Sequence, residues 1–165
     1  MLLEVLGIGL IIGWLRRGSL KNLWQIKLHG LNSIVIALVL TAVVVNSGFL
    51  GLDRYPVLIS TLYLLSFVAL LIGLAKNVHL PGARLALLGA ALNFVVIISN
   101  GCKMPVTPEM FTWITPESFA QSTQSLTHQV LTSATRLPFL ADIIVLPPGL
   151  PLAGIYSIGD LLLYA

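Results

Sequence analysis

The sequence predicts an all-α membrane protein: a bundle of about five transmembrane helices with an extracytoplasmic helical cap between the fourth and fifth. Three observations predict it. The 165-residue chain is 57% hydrophobic and only 9% charged, whereas soluble domains carry about 25% charged residues. Apolar runs of near-spanning length recur at about 2–15, 31–50, 56–75, 85–99 and 152–165, and a helix needs about 20 apolar residues to cross hydrocarbon. Lys and Arg are shared unevenly among the links between these runs. A single integral membrane domain, residues 1–165, accounts for the chain, with 100–151 as its outer segment. Cys102 is the single cysteine, so no internal disulfide can form.

The first run, Leu2 to Leu15, precedes Arg16, Arg17 and Lys21. A secretory signal has the opposite order, with charge before the apolar stretch. The run therefore predicts a retained helix, about 21 Å long at 1.5 Å per residue, with the arginines snorkelling to extend its reach. Gly7, Gly9 and Gly13 would permit close contact with another helix. Ser19 to Leu28 suits either a short interfacial helix capped by Ser19 or a loop anchored by Trp24.

The second and third spans flank Gly51-Leu52-Asp53-Arg54-Tyr55-Pro56, a link with turn residues at both ends. Lys76 to Arg84, broken by Pro81-Gly82, leads to the fourth span. Composition then shifts towards Ser, Thr, Gln and Pro. Thr107-Pro108-Glu109 and Thr115-Pro116-Glu117 each place Thr at N-cap, Pro at N1 and an acid in the first turn. They predict a short helix from Pro108 and a longer one from Pro116, the latter with Phe119, Leu126, Val130 and Leu137 on one face. Pro147, Pro148 and Pro151 predict an extended entry before a final helix from about Leu152. That helix barely crosses: either it reaches part way, or the chain is cut after Ala165 relative to its relatives.

Arg16, Arg17, Lys21, Lys27, Lys76 and Arg84 lie in the first and third links, against Arg54, Lys103 and Arg136 in the second and fourth. Basic residues concentrate on the cytoplasmic side. The N-terminus and residues 100–142 are therefore expected outside the cytoplasmic membrane. The net charge of +3 reads as this topology signal rather than as a nucleic-acid footprint.

No P-loop, G-x-S-x-G, H-E-x-x-H or C-x-x-C occurs. His29, His79 and His128 are dispersed and predict no metal site. Polar residues inside spans are costly and therefore informative. Asp160, within the last apolar helix, is either a proton- or cation-coupling carboxylate or one paired at the cytoplasmic interface. Asn93 and Asn100, seven residues apart on one face of the fourth span, either hold the bundle by hydrogen bonds or line a ligand site. Arg136 and Asp142 are candidates for a structural ion pair tying the cap to the bundle.

Asn93, Asn100-Gly101, Met104-Pro105-Val106, His128, Thr135-Arg136-Leu137, Asp142-Ile143-Ile144, Pro147-Pro148 and Ser157-Ile158-Gly159-Asp160 resemble a family of bacterial membrane proteins, domain of unknown function 5317. The opening apolar helix followed by Arg16-Arg17-Gly18 is also similar. The resemblance implies a bacterial inner-membrane location and no catalytic residues. In that family a small residue such as Gly is expected where Cys102 stands, and the last helix runs further.

The leading functional expectation is a non-enzymatic accessory or scaffold subunit of a larger membrane complex, with the lipid bilayer and other membrane subunits as partners and no cofactor. The alternative is a small transporter or a lipid- or quinone-binding protein using Asp160 and Asn93. An interfacial enzyme using His128, Arg136 and Asp142 ranks last.

Overall fold

The computed structural model describes residues 2–15, 26–109, 125–147, 149 and 152–164. The fold is mostly helical. Among the described residues there are five α-helices: α1 (Leu2–Leu15), α2 (Leu31–Val45), α3 (Pro56–Ala75), α4 (Ala83–Ser99) and α5 (Ile158–Leu163). Four short strands join them: β1 (Met104–Val106), β2 (His128–Val130), β3 (Ile144–Leu146) and β4 (Gly154–Tyr156). A 3-10 turn covers Pro138–Leu140.

Helix α3 is, among the described residues, the one helix both long and apolar enough to cross a membrane, with 20 residues, or about 30 Å. Pro56 at its start supplies a fixed φ where no backbone N–H is needed. The shorter α2 and α4 are also apolar. Helix α2 ends at Val45, five residues before the sequence suggests. The Asn46 amide donates to Ala42 O at 2.7 Å, and a chain of tight turns follows to Gly51. Asn competes for helix carbonyls in this way and favours helix ends.

Helix α2 packs on α3, α3 on α4, and α4 on α5. Asn77 ties the first link to the third: its Nδ2 donates to His29 O and Gly73 O, both at 2.7 Å, and its Oδ1 accepts from His29 N at 2.9 Å. The described end of the first link, residues 26–30, therefore lies at the same end of the helices as the third link. The His29 and His79 rings meet there edge to face, 5.0 Å apart.

At the opposite end the cap is built on β1. Strand β2 pairs with it in parallel, Met104 against His128 and Val106 against Val130. On its other side, Asp142 N donates to Pro105 O and Thr107 N to Asp142 O, both at 2.9 Å. Met104 and Leu140 then close on Val96 and Ile97 of α4, flanked by Tyr63, Leu64 and Phe67 of α3. This core docks the cap onto the helices.

Two expectations about the fold need correction. The described part of the outer segment is not an all-helical cap. Thr127 to Val130 is extended because β1, far away in sequence, offers a ladder that a lone amphipathic turn cannot match. The predicted helices from Pro108 and Pro116 otherwise fall largely outside the described residues, as does most of Ser19 to Leu28. Finally, 152–165 is not a fifth span. Residues 154–156 pair antiparallel with 144–146, and the helix that follows has six residues.

Candidate functional site

The last helix starts at Ser157, for a reason written locally. Ser157 Oγ accepts from Asp160 N at 2.9 Å, while Asp160 Oδ2 accepts from Ser157 N at 3.0 Å. This reciprocal capping box satisfies two backbone donors that a helix start leaves free. Asp160 thus sits in the first turn of α5 rather than deep in a long helix.

Asn93 of α4 binds both members of the box. Its Nδ2 donates to Asp160 Oδ1 at 2.8 Å, and its Oδ1 accepts from Ser157 Oγ at 2.9 Å. Asn93 and Ser157 are both buried. The contact needs two glycines. A Cβ on Gly159 would strike the Asn93 side chain and lie 2.7 Å from Gly89 O; one on Gly89 would lie 2.9 Å from Leu163 N. Glycine at both positions lets the two backbones approach closely enough for the polar groups to meet.

Asp142 completes the cluster. Its backbone is clamped against β1, and its buried side chain lies in hydrogen-bonding range of Asp160. Its Oδ1 has no hydrogen-bond partner. Burial, then the Asp160 charge, then the hydrogen bond between them raise the Asp142 pKa to about 8. Two carboxylates in one low-dielectric site cannot both ionise cheaply, so burial beside Asp160 favours the protonated form of Asp142.

The expected Arg136–Asp142 ion pair is absent. Arg136 is exposed, and its backbone N–H donates to Asn100 Oδ1 at 2.9 Å. Asn100 returns the bond, with Nδ2 donating to Arg136 O and to Val96 O, both at 2.8 Å. Asn100 therefore pins the cap loop to the end of α4, while Asn93 turns to the carboxylates. The shared helical face predicted for the two asparagines does not bring them to one site. Asp142 points away from Arg136 because its backbone direction is fixed by the β1 ladder, which no local spacing reveals.

The cluster closes one end of a cleft of about 310 Å³. Ala37, Leu38, Thr41, Val44 and Val45 of α2 form one wall, and Tyr63, Ser66, Phe67 and Leu70 of α3 the other. Asn93, Asp160 and Leu163 lie at the base, and Thr127 and the β2 residue His128 cover it. Thr127 Oγ1 and His128 Nδ1 lie 2.9 Å apart. Burial lowers the His128 pKa from its ordinary value, so the ring is neutral at pH 7. Among the described residues, no Lys or Arg lines the cleft. Among the described residues, no three His, Cys, Asp or Glu side chains gather where a metal ion could bind.

Asn93 and Asp160 were marked by the cost of polar groups in apolar segments. Ser157 was missed, although Ser-x-x-Asp is a legible capping signal. Tyr63, Thr127 and Ser66 enter through the fold alone.

No curated protein and no solved structure matches the chain. Residues 25–165 match the model of a family of unknown function, DUF5317, and the chain belongs to that family.

Proposed function

We propose that this chain is a non-catalytic membrane protein that binds an amphipathic small molecule, of lipid or quinone size, in the cleft headed by Asp160, Asn93 and His128. One observation carries the reading: a cluster of hydrogen-bonded polar side chains closes an otherwise apolar cleft. Binding pockets combine apolar walls with a few convergent polar groups in this way. The setting is a bacterial cytoplasmic membrane, with residues 100–142 outside. Support comes from the length and apolarity of α3, the basic residues of the first and third links, and large apolar side chains facing outward, such as Val57 at 79% and Val45 at 75% exposure. Helices α1 to α4 are the spanning segments, α2 to α4 packed in series, and α5 enters beside α4 from the cap side.

The test is native mass spectrometry of the protein released gently from its own membrane. Wild type should carry a small-molecule adduct that Thr41→Trp, which fills the cleft, loses. Equal adducts on both proteins, or none on wild type, would remove the reading.

A second reading, an accessory subunit of a larger complex, rests on α1. Nothing lies within 4 Å of where a Cβ would sit on Gly7, Gly9 or Gly13, and Trp14 is 76% exposed. A partner helix would fit there. A photo-crosslinker at Gly9 should then capture one membrane protein in stoichiometric yield; capture of lipid alone would end that reading.

A further inference from the structure

We infer that the ligand of this cleft is an organic cation, an ammonium head on an apolar tail; this rests on the cleft being a binding site. The head end presents an acceptor and no basic counterpart. Asp160 lines it, half-buried, held by Asn93 Nδ2 and by Ser157 N. These donors are neutral. Behind Asp160, the buried Asp142 keeps an oxygen with no hydrogen-bond partner. No ion pair joins either carboxyl group to a described Lys or Arg. His128 faces the same space, and its burial disfavours a charged ring.

Asp160 is half-buried and its hydrogen-bond donors are neutral, so an ammonium entering from the membrane would supply the opposite charge they lack. The walls suit the same head. Tyr63 and Phe67 both line the cleft, with ring centroids 5.3 Å apart and nearly perpendicular planes. Aromatic faces attract cations, more so where water is excluded. An anionic head would meet Asp160 directly, and a neutral head would leave its charge uncompensated. Leu38, Val45 and Leu70 add aliphatic lining for the tail.

The experiment compares decylammonium, decanol and decanoate binding to the full chain in phosphatidylcholine nanodiscs, with empty nanodiscs as the partition reference. Decylammonium should bind at least about tenfold more tightly than decanol, and decanoate least, since charge complementarity sets specificity. Asp160→Asn, which retains a capping side chain, should bring decylammonium and decanol to within about twofold of each other. Phe67→Leu should weaken decylammonium about threefold and leave decanol unchanged. Equal binding of decylammonium and decanol to wild type would overturn the cation assignment while leaving an amphipathic site in place. Failure of all three to bind above the reference would overturn the binding-site reading as well.

Discussion

Replacing Asp142 with Asn should remove most of a pH-dependent destabilisation of the fold. In the folded protein the Asp142 carboxyl is buried beside Asp160, and its pKa rises from 3.8 to about 8. The unfolded chain gives up that proton near 3.8, so between there and about 8 the folded state binds more protons. Stability contributed by the protonated group is complete below the unfolded value. It is lost progressively as pH rises, with the loss complete above the folded value. At about 1.4 kcal/mol per pH unit, the whole window sets a ceiling of about 6 kcal/mol. Asparagine has the same shape and cannot ionise. The assay is thermal unfolding in detergent from about pH 5 to about pH 9, taken as the difference between wild type and Asp142→Asn so that common titrations cancel. Wild type should lose ground steadily to the variant, and above about pH 8 the variant should be the more stable protein. Parallel curves across the range would refute the reasoning, because they would mean that Asp142 ionises in the fold as freely as in the unfolded chain.

Gly159→Ala should cost about 1–3 kcal/mol, because the added methyl strikes Asn93 and Gly89 O and must push α5 off α4; thermal unfolding reads the loss. Asn100→Ala should cost about 1–3 kcal/mol by leaving the Arg136 N–H and two carbonyls without their partner, seen as a lower Tm and faster proteolysis near Thr135. Cys102 has φ 64°, a left-handed conformation that costs a side chain but not glycine. Cys102→Gly should therefore raise the midpoint of unfolding in dodecyl sulfate, by about 0.5–1 kcal/mol. This backbone angle also explains physically why a small residue suits the position.

The sequence by itself determined the helices that begin with strong local signals. An apolar run starting at Pro56 gives α3 its length and first residue, and the runs around Val39 and Leu92 locate α2 and α4. The capping box at Ser157 and Asp160 also lies within four residues, yet the helix it starts was expected earlier, from about Leu152. The three prolines between Val145 and Leu152 announced extended chain, and the backbone is extended at β3 before them, but β4 stands where a helix from about Leu152 was expected.

Only the tertiary structure decided the partners. Thr127 to Val130 reads as part of a helix until β1 supplies a ladder more than twenty residues away in sequence. Arg136 and Asp142 are close in sequence and opposite in charge, yet Asn100 holds one backbone and Pro105 the other, and their side chains part. The meeting of Asn93 with Asp160 depends on Gly89 and Gly159 allowing two backbones to touch. A hydrogen bond between residues 67 positions apart leaves no trace in local spacing, since what fixes it is the packing of α5 on α4 and not the preference of either residue for its own neighbours.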